Sequence, residues 1–551
     1  MGNIFKKGLS ILIARQTNIL SAAFVIATTI MISQILGLVR QRLLVSIFGA
    51  SDTLGIYLAS SRLPDFLFQI LIAGALSSAF IPVFSQYLGR EKYEEANRLA
   101  SSLIVLGLGA FLVIGLILFV FANQFSSLVA PGFSGTQIDL MANLTRIIIA
   151  GELLFIIGSF LSAILQSYNH FFIPGIASAA YNLGIIIGIK LLSPVFGVSS
   201  AAIGVVLGAL IFVLVQLPLI RRIGFSFRPV ISFKTKGVIE VLKLMGPRTL
   251  SLGIFQFGTL LIVTLISFLP TPGRSYVIFD YAQTLAFAPV VLFGQAIAQA
   301  AFPILSKEKD KIEHFKATFL TSMNQMLYVI LPVSVLFLVL RIPIVRLIYG
   351  TSQFDWQATV LTGRTLAFFS ISIFAQALIY LVSRGFYALH DTKIPLIIGT
   401  ISTIFMIALG AIFIFVRHFG VESIAAAFSI ANIANVIIMI VFLNRKVGGF
   451  DTKSLVFPLV KIFIASILTG FALYVPIKLL DQLVFDTTRT VGLLLLTGIS
   501  SLAGLSFYLF LTWLFNVREA SLFLLLFKRV GDWRQILGKS DEPIEGTRFN
   551  P

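Results

Sequence analysis

An all-α protein that crosses a membrane many times is what this sequence predicts, with two repeated six-helix halves and two further helices after them. Three observations predict it: apolar runs long enough to span hydrocarbon, basic residues gathered in alternate connections, and motifs that recur about 221 residues later. Of the 551 residues, 58% are hydrophobic and only 12% charged, against about a quarter charged in soluble proteins. The mean hydropathy is +0.99. Water is therefore not the main solvent. Cysteine is absent, which excludes disulfides, thiolate metal sites and cysteine nucleophiles. The histidines, His170, His314, His390 and His418, lie far apart in sequence, so neither a metal nor a cofactor is expected.

A bilayer core needs ~20 apolar residues per helix, and only a helix that satisfies its own backbone crosses singly. About fourteen spans meet that length, near 19–46, 54–85, 99–124, 139–166, 171–193, 198–220, 244–268, 275–304, 317–340, 357–388, 395–416, 421–443, 456–478 and 490–516. Residues 1–18, with Lys6, Lys7 and Arg15, read as an N-terminal interfacial segment. Residues 19–222 form the first lobe (spans 1 to 6) and 223–446 the second (spans 7 to 12). Spans 13 and 14 occupy 447–517, and a cytoplasmic amphipathic helix and tail follow at 518–551. With the N-terminus inside, the clusters Arg90/Lys92/Arg98, Arg221 to Lys243, Lys307 to Lys316 and Arg445/Lys446/Lys453 all face the cytoplasm. That is the positive-inside pattern, and it makes both termini cytoplasmic. It also assigns the net charge of +18 to anionic membrane lipid rather than nucleic acid.

The repeat is read from paired residues. Ala79-Phe-Ile-Pro-Val-Phe-Ser-Gln86 matches Ala300-Ala-Phe-Pro-Ile-Leu-Ser-Lys307, with Pro82 and Pro303 221 residues apart. Ile173-Pro174 and Ile394-Pro395 keep that offset, whereas Gly197-Val198 and Gly420-Val421 are 223 apart. Arg221-Arg222-Ile-Gly224 pairs with Arg445-Lys446-Val-Gly448 at 224. Two halves of equal orientation, related by a pseudo-two-fold axis along the membrane normal, form a transporter architecture with the substrate between lobes.

An ionisable residue inside a span is costly and marks function by default. The basic ones are Arg40, Arg42, Arg62, Arg146, Arg248, Arg364 and Lys461; the acids nearest the core are Asp65, Glu152 and Asp280. Arg42 has a snorkelling alternative, Lys461 a local one, and Arg146 a structural pairing with Glu152 at a poor spacing of six. The excess of arginine predicts a cationic cavity suited to a phosphate or pyrophosphate head, which guanidinium binds with paired hydrogen bonds. Arg62 and Asp65 share a helix face around Pro64, which should kink span 2. Gly37, Gly49 and Pro64 are the expected hinges. No nucleophile–base arrangement or nucleotide loop occurs, so no catalytic residues and no enzyme are expected.

Ile35-Leu-Gly-Leu-Val-Arg40, Arg62-Leu-Pro-Asp65, Gly74-Ala-Leu-Ser-Ser-Ala-Phe-Ile-Pro82, Ala130-Pro-Gly-Phe133, Met245-Gly-Pro247 and Gly385-Phe-Tyr-Ala-Leu-His-Asp-Thr-Lys-Ile-Pro395 together resemble the MurJ (MviN) family. That family belongs to the multidrug/oligosaccharidyl-lipid/polysaccharide exporter superfamily. The resemblance implies a flippase in the bacterial cytoplasmic membrane that moves lipid II, the undecaprenyl-pyrophosphate-linked peptidoglycan precursor, from the inner to the outer leaflet. It implies Arg40, Arg62 and Arg364 at basic family positions, with Asp65 beside them and a groove for the lipid tail at spans 13 and 14. Other charged family positions fall on Gln34, Phe68, Thr284, Gly55 and Ala73. Arg248 is an addition, expected to restore with Arg62 part of the lost positive field. Spans 7 and 11 have no interior carboxylate, so a family-type sodium site there is not expected, and membrane potential or a monovalent ion remains open as the energy source. The alternatives are export of another polyprenyl-linked oligosaccharide or of drugs.

Overall fold

The computed structural model describes residues 19–73, 76–229, 236–483 and 490–520, and every regular element among them is helical. The expected interfacial segment at 1–18, and all but the first residues of the expected helix and tail at 518–551, lie outside the described residues. The chain divides into two compact units between Ser267 and Phe268.

The first unit opens with α1 (Ile19–Phe48), stopped at Gly49, whose φ of 64° is a left-handed helix end that favours glycine. Then come α2 (Asp52–Ser60), capped by Ser51, and α3 (Arg62–Phe68). Two π-helical stretches, Gln69–Ala73 and Leu76–Phe80, lead into α4 (Ile81–Gly89). The remaining helices are α5 (Tyr93–Val120), α6 (Ala122–Val129), α7 (Gly135–Ser167), α8 (Phe172–Phe196), α9 (Ser199–Arg222) and α10 (Lys236–Ser267). Phe80, Phe84, Phe111 and Phe160 lie in one apolar core with Leu99 and Ile164.

Glycine sets the close contact between α8 and α9. Gly184 and Gly188 of α8 meet Gly208 and Gly204 of α9 so closely that a Cβ on either α8 glycine would stand 2.5 Å from the opposing Cα. Small residues four apart on both helices let the backbones approach, the usual route to helix association in lipid.

The second unit contains α11 (Pro272–Pro289), a π-helical stretch Val290–Gln295, α12 (Ala296–Lys307), α13 (Ile312–Val339) and α14 (Arg341–Tyr349). It continues with α15 (Trp356–Ser370), α16 (Ile373–Ala388), α17 (Lys393–Ala411), a π-helical end Ile412–Val416, α18 (Glu422–Lys446), α19 (Thr452–Leu483) and α20 (Thr490–Leu514). The added helices α19 and α20 pack on each other and on α13. Lys461 of α19 donates to the Phe515 carbonyl at 2.8 Å, a local use of its charge.

Eleven helices among the described residues are long and apolar enough to cross a membrane, or twelve when α15 and α16, bent by 41°, count as one span. The expected count of about fourteen is larger by spans 2 and 7. Span 2 is cut into α2, α3, the π-helical stretches and α4, while in α10 only Gly253–Ser267 counts as a shorter apolar helix.

Local structure recurs at the spacing read from the prolines. The π-helical stretches beginning at Gln69 and Val290 are 221 residues apart, as are the helix caps Ser134 and Asp355. So are the left-handed residues Asn169 (φ 62°) and His390 (φ 57°), and Gly197 (φ 52°) and His418 (φ 53°). After His418 the second copy has a longer turn before its next helix than the first has after Gly197. That accounts for the wider offset of 223 at the Gly-Val pairs.

The packing boundary lies one helix beyond the repeat boundary. α10 belongs to the first unit because it answers backbone carbonyls there: Thr249 Oγ1 donates to Ile70 O at 3.4 Å, inside the first π-helical stretch, and Thr264 Oγ1 to Val129 O at 2.8 Å. Ser267 Oγ accepts from the Gly132 amide at 3.1 Å.

The His390-Asp391 segment has a structural explanation. Asp391 Oδ1 accepts from the amides of Lys393 and Ile394 at 3.1 and 3.2 Å, capping α17, and its other oxygen pairs with Lys446 at the end of α18. His390 meets Lys309 at 3.0 Å. Partial burial pushes the Asp391 carboxyl up, but the Lys446 ammonium and the two amides outweigh it and hold it below its ordinary value of 3.8. A depressed carboxyl stabilises the fold above the ordinary value and loses that contribution as pH falls through the depressed one. Asp391→Asn should therefore cost about 1 kcal/mol at pH 7. Thermal melts in detergent should show the gap from wild type closing below pH 3.8.

Candidate functional site: a charged cluster in the first unit

The charged residues of spans 1, 2 and 4 meet inside the first unit. Pro64 lies in the first turn of α3, and the break it was expected to cause falls at Ser61, between α2 and α3. A proline has no N–H to offer the carbonyl four residues back. The freed Ser60 carbonyl instead accepts from Thr145 Oγ1 of α7 at 3.1 Å. Span 2 is thereby pinned to span 4 at its break, with Arg62 and Asp65 half-buried on the next turn. Neither residue is without a partner.

Arg40, half-buried near the end of α1, and Asp65 both act electrostatically on the Tyr57 hydroxyl. The Tyr181 hydroxyl of α8 feels Glu152, Arg40, Tyr57 and Asp65. Arg40, Asp65, Glu152 and the two tyrosines are thus one polar cluster contributed by α1, α2, α3, α7 and α8. An apolar wall adjoins it: Phe155 stands 5.3 Å from Phe68, 5.0 Å from Tyr181 and 5.0 Å from Phe212, ring to ring. Phe68 is part of this wall. Asn182 of α8 ties the cluster to α1 through Ser33 at 3.3 Å.

The other predicted residues fall elsewhere. Arg248 stands on α10 beside Thr249, in the same unit as Arg62 rather than in the opposite one; its side chain lies outside the described residues. Arg364 belongs to the second unit, where it is exposed on α15 and lines a cavity of about 660 Å³ with Leu338, Arg341, Phe368, Phe419 and Glu422. Gly37 faces open space, with nothing within 4 Å of where a Cβ would lie, whereas Gly49 is the stop of α1.

Arg146 does not pair with Glu152. It donates to Phe119 O at 3.1 Å, Asn143 at 2.9 Å and Asn123 at 3.0 Å. Six residues on a helix put the two on different faces, and α6 supplies a nearer acceptor. Asp280 is buried on α11 near Tyr349 and is engaged. Among the described residues no group of acids and histidines could hold a metal ion.

The tyrosines were missed by sequence reasoning, because a lone Tyr in an apolar span carries no signal of its own. Glu152 was visible as an interior acid, but its neighbours Asp65 and Tyr181 come from other helices.

A multi-pass helical membrane protein with two repeated halves and a charged cluster within the first has the architecture of a transporter. The family model described as "Lipid II flippase MurJ" matches residues 44–512. The chain belongs to that family. The probable lipid II flippase MurJ of Buchnera aphidicola subsp. Schizaphis graminum is 28% identical over 504 residues, covering 89% of this chain and 97% of the relative. That of Thermotoga maritima is 28% identical over 439 residues, covering 80% and 86%. A solved structure of the lipid II flippase MurJ in an inward closed conformation superimposes with a TM-score of 0.72 at 25% identity, covering 88% of this chain and 98% of that one. An inward-facing multidrug-resistance transporter of the MATE family gives 0.64 at 16% identity, covering 78% and 98%, and shares the fold alone.

Proposed function

We propose that this protein is a lipid II flippase of the bacterial cytoplasmic membrane, with both termini in the cytoplasm. It carries the undecaprenyl-pyrophosphate-linked precursor from the inner to the outer leaflet by alternating access of its two lobes. The observation that carries this reading is the family match over 44–512, which covers Tyr57, Asp65, Glu152 and Tyr181 of the cluster and begins just after Arg40.

In this reading Arg40, Arg62 and Arg248 meet the pyrophosphate, whose oxygens guanidinium groups bind in pairs at any relevant pH. Asp65 orients the arginines, and Arg364 supplies positive charge from the second lobe. The polyprenyl tail stays in lipid, guided along α19 and α20. Gly37, Gly49 and the break before Pro64 absorb the motion. Moving the arginine charges through the membrane potential supplies ~2.3 kcal/mol per charge per 100 mV.

The test is complementation. Expressed in a strain depleted of its own lipid II flippase, the protein should restore growth and the exposure of lipid II on the outer leaflet. Good membrane expression without rescue would favour export of a different polyprenyl-linked oligosaccharide.

A further inference from the structure

Glu152 makes none of the hydrogen bonds described so far. It sits on α7, 6% exposed, and its Oε2 is enclosed without a hydrogen-bond partner among the described residues. The helix around it is held tightly: a Cβ on the adjacent Gly151 would stand 3.0 Å from Val205 of α9. The groups facing it are few. α3 brings Asp65, whose charge acts on Glu152, with Arg62 one turn earlier; Tyr181 of α8, on which Glu152 acts, also feels Arg40 of α1 and Tyr57 of α2. α9 faces this stretch with Val205 and Val206. Arg146, the cation of α7 itself, is committed to Phe119, Asn143 and Asn123.

An ionised carboxylate enclosed in a low-dielectric interior without a donor is strongly disfavoured, and the Asp65 charge beside it opposes a second negative charge. We propose that Glu152 is an exchangeable proton-binding site of the first unit, its carboxyl enclosed on α7 with no donor among the described residues to hold it ionised. The use of that proton in transport rests on the flippase reading: a motion that opens this pocket to water or carries Asp65 away favours release, and its reversal favours uptake. The assignment of the proton itself does not rest on it.

Infrared difference spectra of the purified protein, without lipid II, test the assignment directly. The protonated-acid carbonyl stretch of Glu152 should be present at neutral pH, disappear as pH rises, and be missing from Glu152→Gln. Asp65→Asn, which removes the opposing charge, should shift the midpoint of that disappearance to lower pH; this second variant serves if Glu152→Gln does not fold. A spectrum unchanged by Glu152→Gln, or a band that does not respond to pH while the protein stays folded, overturns the proposal. So does an unmoved midpoint in Asp65→Asn. Loss of the band on adding sodium at fixed pH would make this a sodium site and overturn it too. A failed complementation leaves all of these readings intact, so the two proposals fail separately.

Discussion

Arg40→Glu should leave the protein folded but unable to export lipid II, with the pyrophosphate head bound roughly 100-fold more weakly or worse. Arg40 is half-buried and has no ion pair among the described residues, so its charge is available to a ligand. Removing a charge-assisted hydrogen bond costs about 1.5–3 kcal/mol, which alone is roughly ten- to hundredfold in affinity. Reversal adds repulsion between the new carboxylate and both the phosphate and Asp65. Arg40→Lys keeps the charge but loses the planar fork, and should fall between wild type and Arg40→Glu. Binding of lipid II to the purified variants, alongside complementation and a detergent melt, measures this. Wild-type binding by a folded Arg40→Glu protein would remove Arg40 from the substrate site.

The second large effect is on stability. Gly188→Val should lower the melting temperature sharply and reduce the monodisperse protein recovered in detergent. The opposing Gly204 Cα would lie 2.5 Å from a new Cβ, and backbone cannot step aside as a side-chain tip can. α8 and α9 must then separate, at a cost of about 1–3 kcal/mol or more. Gly109→Val is the control. It lies on an exposed face of α5 with nothing within 4 Å of a Cβ, and should melt as wild type does.

Hydropathy was enough to find the spans whose helices run unbroken, because a 20-residue apolar run has one reading in a bilayer. It was blind to what interrupts a helix. Span 2 read as one helix kinked at Pro64, yet it is cut into several pieces: the Ser60 carbonyl that Pro64 leaves without an N–H accepts from Thr145, and the Ile70 carbonyl in the π-helical stretch accepts from Thr249. The repeat was legible because Pro82 and Pro303 fix backbone positions. The packing boundary was not, since α10 is held by hydroxyls that bond to non-sequential carbonyls.

The candidate site was half legible. Arg40, Arg62 and Asp65 stood out as charges in apolar surroundings, and the structure gathers Arg40 and Asp65 around Tyr57. Glu152 was read as a partner for Arg146 along the helix, and only its neighbours from other helices give it a different meaning. Phe68 packs its ring against Phe155, so the wall beside the cluster is aromatic rather than charged.

The most direct measurement of the central claim is translocation of labelled lipid II by the purified protein in vesicles, read as the fraction reachable from each leaflet over time. Lipid II placed in one leaflet should appear in the other with wild type and remain in place with Arg40→Glu. Lipid II that stays in its leaflet with folded wild-type protein, while another polyprenyl-linked oligosaccharide crosses in the same vesicles, would contradict the account.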